Sequence, residues 1–340
     1  MPNLLKGLEN PSTKDSGYSL DKLELLNHYQ SECGFQPNTP PPNKGLHTLK
    51  KKAKNKWFSN QLSWALMQLD TPLKKAYQRT YFDCCNTLMQ EGNKITSKYC
   101  GARWCNTCNR IRTAKLLNGY EKPLTNMQDL QFVTLTIRNV SKEELHHTIV
   151  GMQSNSTNII RSINRKYKSD GRKFNGIRKI ECTYNDDEDS YHPHLHFVVQ
   201  GKDIANDLID GWLRKYPTSA ARYCQDRRDA YNYKELFKYT TKIVTTSKVD
   251  GQYKIFASAL DTIFQAMKGM RTFQSFGDVK KVNEEIDNLQ SETFDAVPYY
   301  DFVVWSYNGE DWVNMLDGSN LTNYKPSKGM IKLTTELMVT

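Results

Sequence analysis

The stretch Tyr191-His192-Pro193-His194-Leu195-His196-Phe197-Val198-Val199 alternates imidazoles with apolar side chains. Successive residues of a strand point to opposite faces, so His194 and His196 share one face while Leu195 and Phe197 turn toward a core. An isolated His-x-His is more often a pair of surface histidines, but here three cluster on an apolar strand. Upstream, Gly176 to Tyr184 also reads as a strand, separated from His194 to Gln200 by the acidic, turn-forming run Asn185 to Ser190. The two form a hairpin whose register sets Glu181 opposite His194. Two imidazoles and a carboxylate converging on one point suit a divalent ion with positions left open for phosphate oxygens. His192, next to a proline, is expected just outside the strand, as a supporting or substrate contact.

Outward from the hairpin, Phe132 to Arg138 is a strand with Val133, Leu135 and Ile137 on one face. Ser141 and Glu144 make a capping box that opens a helix reaching about Lys168. Helical patterns follow at Asp203 to Lys215, Asp229 to Val244 and Lys254 to Met270. Leu62, Leu66 and Leu69 sit at helical spacing, and Asp70-Thr71-Pro72 restarts a helix carried on by Leu73, Ala76, Tyr77 and Tyr81. The expected fold is α+β, a central antiparallel sheet with flanking helices and a small cysteine-rich zinc element. Residues 1–55, with Pro37, Pro40, Pro41 and Pro42 and the lysines 50, 51, 52, 54 and 56, read as a flexible basic arm. Residues 56–120 form the helical and zinc-binding element, 121–275 the main domain, and 276–340 a small appendage.

The chain has 340 residues, with 47 Lys and Arg against 37 Asp and Glu, a formal charge of +10 that favours a polyanionic partner. No apolar run approaches membrane-spanning length, and the N-terminus carries no signal or transit pattern, so a cytoplasmic protein without a membrane partner is expected. In that compartment crowded cysteines are thiols or metal ligands. Cys100-x4-Cys105-x2-Cys108, with Cys84 and Cys85 upstream, supplies a four-thiolate set for structural Zn²⁺. Cys85, Cys100, Cys105 and Cys108 are taken as the ligands, with Cys84 as the alternative to Cys85. Arg103, Arg110, Arg112 and Lys115 form a basic face suited to a DNA backbone.

In Glu235-Leu236-Phe237-Lys238-Tyr239-Thr240-Thr241-Lys242 a helix would bring Glu235, Tyr239 and Lys242 to one edge. A phenol attacks an electrophile once a metal or cation stabilises the developing charge, although most helical tyrosines only pack. Tyr233 is a rival nucleophile on another helical face.

The order of these segments resembles the three motifs of rolling-circle plasmid replication initiators, the Rep members of the HUH endonucleases, over roughly Cys84 to Lys242. The resemblance implies that His194 and His196 hold Mg²⁺ or Mn²⁺ with Glu181 as third ligand, and that Tyr239 attacks the scissile phosphate. It further implies that Glu235 activates water for the terminating cleavage and that Lys238 and Lys242 contact DNA or the active-site phosphate. The implied enzyme is a site-specific nickase and strand transferase acting on plasmid origin DNA, with a host helicase and DNA polymerase as partners. The chain has no G-x-x-x-x-G-K-[ST] loop, in keeping with transesterification that needs no nucleotide hydrolysis. A single-tyrosine transposase or relaxase shares the histidine strand, and Glu235 one turn before the tyrosine argues against it. A non-enzymatic zinc repressor or origin binder explains the charge and cysteines, but not the coexistence of Glu181, His194, His196 and Tyr239.

Overall fold

The computed structural model describes residues 44–237, 245–246, 253–294, 297 and 299–335. In chain order the elements are α1 (Lys44–Met67), α2 (Lys74–Phe82), β1 (Thr87–Glu91), β2 (Lys94–Lys98), α3 (Asn106–Thr125), β3 (Leu130–Thr136), α4 (Lys142–Lys166), β4 (Gly176–Asn185), β5 (Ser190–Gln200) and α5 (Lys202–Lys215). Then come β6 (Asp226–Asp229), β7 (Thr245–Thr246), β8 (Tyr253–Lys254), α6 (Ala257–Ala266), β9 (Phe273–Phe276), β10 (Leu289–Thr293), β11 (Val303–Tyr307), β12 (Trp312–Asn314) and α7 (Lys328–Thr335). No helix among the described residues is long and apolar enough to cross a membrane.

The class is α+β, with two five-stranded antiparallel sheets where one was expected. The first has the order β6-β3-β5-β4-β9. One of its faces is largely apolar: Leu195, Phe197 and Val199 of β5 lie beside Val133 and Leu135 of β3, and the buried Arg178 of β4 donates to Gln153 O and Ser156 Oγ. This face is covered by α4, α5 and α6. The capping box forms, with the Ser141 N–H donating to Glu144 Oε2 at 3.2 Å. From it, Leu145, Ile149, Met152, Ile160 and Ile163, with Ser156 between Met152 and Ile160, make a buried stripe at three- and four-residue spacing. Each such side chain contributes about 1.5–3 kcal/mol by leaving water.

The opposite face is divided. Phe132, Ile177, Val198 and Phe273 are covered by Leu116, Tyr120 and Leu124 of α3 and by Leu236 and Phe237. Further along the same strands lie Glu181, His194 and His196. The register between β3 and β5 ends at Thr136 opposite His194. Pro193, which has no N–H to give a ladder, comes immediately beyond that end. The imidazoles therefore stand where β3 leaves the sheet.

The second sheet, β10-β2-β1-β11-β12, joins distant parts of the chain. Residues expected as a C-terminal appendage from 276 onward supply three of its five strands, and the cysteine element supplies the other two. Period-two alternation in short strands carries no signal about such long-range partners. The expected basic arm differs as well. A helix begins at Lys44, and Lys52 and Lys56, one turn apart, are fully buried against this sheet. Lys52 Nζ donates to Tyr99 Oη at 2.5 Å and pairs with Glu292, while Lys56 Nζ donates to Asn60 Oδ1 at 2.8 Å. A linker-like lysine run thus becomes a helix face because carboxylate, phenol and amide partners satisfy the ammonium groups.

Two expected helices are shorter or replaced. The one read over Lys254 to Met270 is α6, opening only after β8. The one read over Asp229 to Val244 begins instead as the end of β6, which pairs with β3, followed by a single 3-10 turn at Tyr233–Phe237. Residues 238–244 lie outside the described residues.

Glu292 gives this sheet a pH signature. Burial raises its carboxyl, but Lys52 and Arg110 outweigh that and hold it down at about 2. A carboxylate depressed in the folded state stabilises fully above its unfolded value of about 4.3, and the contribution drains as pH falls toward 2. In Glu292→Gln, denaturant titrations at pH 7 and pH 2.5 are expected to differ less than in the parent chain, by on the order of 2–3 kcal/mol. Equal pH dependence of the two proteins would contradict the assignment.

Candidate metal centres

On β4 and β5 the Glu181–His194 pairing is as the hairpin reading expected. The two imidazole Nε2 atoms lie 3.2 Å (His194) and 3.4 Å (His196) from the same oxygen, Glu181 Oε2. His194 Nδ1 is 3.1 Å from the His192 carbonyl oxygen, and His196 Nδ1 is 3.0 Å from Thr134 Oγ1. A carbonyl only accepts, so a neutral His194 that donates from Nδ1 to His192 leaves its Nε2 lone pair available to a metal. Thr134 holds His196 in the equivalent orientation. Burial pushes the His196 imidazolium below its ordinary range despite the carboxylate beside it, which favours the neutral, metal-binding form. Burial by itself raises the Glu181 carboxyl, but the Lys179 ammonium and the two imidazoles beside it hold it well below the usual range. Lone pairs from three groups converge, a donor set that calls for a cation. Ligand atoms about 2.1 Å from one ion at right angles stand about 3.0 Å apart, close to the spacing seen.

Lys179 was not anticipated. It is buried, pairs with Glu181 and lies 5.6 Å from the centroid of the Phe273 ring. Its position two residues before Glu181 put it on the same strand face, so period two alone could have found it. Thr134 needed the β3–β5 register, which sequence does not supply. His192 lies within β5 rather than outside it, its ring 5.2 Å from that of His194.

The second candidate centre comprises Cys84, Cys100, Cys105 and Cys108, whose sulfurs all lie within 4.8 Å of one another. Cys84 Sγ is 3.7 Å from both Cys105 Sγ and Cys108 Sγ, and Cys100 Sγ is 3.6 Å from Cys108 Sγ. Four sulfurs about 2.3 Å from one zinc ion sit about 3.8 Å apart, so this donor set fits a tetrahedral site. Cys84 takes the place assigned first to Cys85. The backbone of Cys85 is left-handed, with φ +55°, its N–H donating to Lys98 O at 2.8 Å and its carbonyl accepting from Trp312 Nε1 at 2.7 Å. Cys84 rather than Cys85 thereby stands in the four-sulfur set, with Cys85 completely buried beside it.

Residues 93–203 match the family model Rep_1, described as a replication protein. That Rep-like segment contains Cys100, Cys105, Cys108, Glu181, His194 and His196, and ends before Tyr239. The chain is similar to the protein rep of Streptococcus pneumoniae serotype 2, at 29% identity over 114 residues, 31% of this chain and 33% of the relative. Proteins rep of a Bacillus species and of Staphylococcus aureus are each 31% identical over 107 residues, covering 30% and 29% of this chain and 33% and 44% of theirs. The chain spans about a third of the length of the first of these relatives. No solved structure matches. The matches agree with the motif resemblance to rolling-circle replication initiators.

Around the Rep-like segment the other expected residues fall variously. Arg103 and Arg112 lie 3.7 and 3.8 Å from the Glu284 carboxylate, and Arg110 pairs with Glu292. Arg112 also donates to Gly101 O at 2.8 Å and is buried. These contacts tie the cysteine element to residues 284–292, so the three arginines do not form the open basic face expected. The Tyr233 hydroxyl lies 3.4 Å from Thr125 Oγ1 at the end of α3. Glu235 falls in the 3-10 turn, its side chain outside the described residues along with Lys238, Tyr239 and Lys242.

Cys84 and Cys85 separate cleanly by experiment. Elemental analysis of Cys84→Ser is expected to show loss of the ion bound per chain under mild chelation, whereas Cys85→Ser retains it. The reverse order would reassign the ligand.

Proposed function

We propose that this chain is a plasmid rolling-circle replication initiator that nicks and rejoins one strand of its origin through a 5′-phosphotyrosine on Tyr239. The observation carrying this reading is the convergence of Glu181, His194 and His196 on one point where β3 leaves the sheet. The similarity of residues 93–203 to replication proteins supports it.

His194, His196 and Glu181 would hold Mg²⁺ or Mn²⁺, and the four cysteines a structural Zn²⁺. A divalent ion bound by the triad supplies Lewis-acid polarisation of a phosphoryl oxygen. Lys179 keeps Glu181 ionised, and Thr134 and the His192 carbonyl keep both Nε2 atoms aimed. Tyr239 forms the new phosphorus–oxygen bond as the bond to the 3′ oxygen breaks, leaving a 3′ hydroxyl for the host polymerase. Phe237, two residues earlier, is buried on the triad's sheet face and stacks on Phe273 at 5.5 Å, the same ring that lies below Lys179. Glu235 activates water for the terminating cleavage, Lys238 and Lys242 contact the DNA phosphates, and a host helicase unwinds the duplex.

Incubation with Mn²⁺ and single-stranded origin DNA tests the scheme. Tyr239→Phe is expected to abolish both nicking and the covalent adduct, and His194→Ala with His196→Ala to reduce nicking by roughly 100-fold or more. Glu235→Ala is expected to leave the first cut largely intact while impairing hydrolytic termination. Equal nicking by the parent chain and Tyr239→Phe would remove Tyr239 from the chemistry.

A further inference from the structure

A cavity of about 500 Å³ lies between the cysteine element and the edge of β4, with Glu181 in its wall. Its size is within the roughly 300–1,000 Å³ of small-ligand sites. β9 pairs with β4 only as far as Lys179, so the β4 edge from Ile180 onward forms one side. Leu73, Trp104, Phe264 and Met267 supply apolar wall, and exposed Lys75 and Lys268 stand on the lining. Trp104 is pinned from behind. Its Nε1 donates to Thr80 Oγ1 at 2.8 Å, and its ring lies 4.8 Å from Tyr77 and 5.4 Å from Phe264. An indole so fixed is a stacking surface whose ordering cost is met by the fold.

We propose that this cavity receives one nucleobase of the single strand next to the scissile phosphate, unstacked from its neighbours. The chemistry is matched: an aromatic plane for the base and ammonium groups for the flanking phosphates. Glu181 belongs to both the triad and this wall, so a base seated here fixes how the adjoining phosphodiester meets the metal centre. The cysteine element thereby has a part in recognition: Gly101 to Trp104, between two of its ligands, forms one wall. The inference rests on the single-strand nicking reading.

The test uses the full chain, without added divalent ion, and a thymidylate dodecamer carrying 5-iododeoxyuridine. Binding is followed by fluorescence anisotropy, and ultraviolet crosslinks are mapped by mass spectrometry. Crosslinks at Trp104, Phe264 or Met267 are expected. Ala76→Trp, which fills the cavity, is expected to lower crosslinking at least tenfold and weaken binding about 5- to 100-fold, the usual effect of one base stack. The exposed pair Lys75→Glu with Lys268→Glu, which cannot act by disturbing the core, is expected to lower the same crosslinks. Binding with crosslinks only outside the cavity, or crosslinks unchanged in both variants, would overturn the pocket while leaving the nicking reading intact. No binding of the oligonucleotide at all would likewise overturn the pocket, while the nicking reading answers to the Tyr239→Phe comparison on origin DNA.

Discussion

The antiparallel pairing of β4 with β5 is the constraint on which the triad depends. A slip of one residue would move Glu181 from the histidine face to the apolar face and place Leu195 where His194 or His196 should stand. Burial prevents the slip. Leu195, Phe197 and Val199 are completely enclosed by α4, α5 and α6, so exposing them would cost several kcal/mol. The metal geometry is thus guarded from the far side of the sheet by residues that never touch it.

Charge balance links the cysteine element to the rest of the chain. Four thiolates around a divalent ion would leave a net negative centre, and the buried Lys52 and Lys56 come from a helix more than twenty residues upstream of Cys84. Burial lowers the Lys56 ammonium, and the nearby thiols Cys84, Cys85, Cys105 and Cys100 pull it back up. Glu292 then neutralises Lys52 and Arg110 together, fastening β10 to α1 and α3. The second sheet consequently closes around the cysteines using strands separated by nearly two hundred residues.

What was legible in the sequence follows from this division. The hairpin, its register, the capping box and the alternation of β3 are local, each set by spacing within a few dozen residues. The cysteines could be counted but not ordered, because whether Cys84 or Cys85 faces the cluster turns on one left-handed backbone angle. Lys52 and Lys56 read as solvated because the groups that enclose them, Tyr99 and Glu292 around Lys52 and Tyr307 beside Lys56, could be joined to them only through the fold. The arginines after Cys100 misled for the same reason: positive charge in a sequence becomes a basic face only if no carboxylate folds onto it.

The divided face of the first sheet also explains why the chemistry sits where it does. At one end Ile177, Val198 and Phe273 are packed under α3, and Phe237 stacks on both Tyr120 and Phe273. At the other end β3 pairs with β5 only as far as Thr136 opposite His194 and departs before Pro193. The packed half fixes the strands that carry Lys179, Glu181 and His196, and opening it would free Lys179 to leave Glu181. Apolar packing and a candidate metal centre share one pair of strands because side chains two residues apart lie on the same face at successive positions along it.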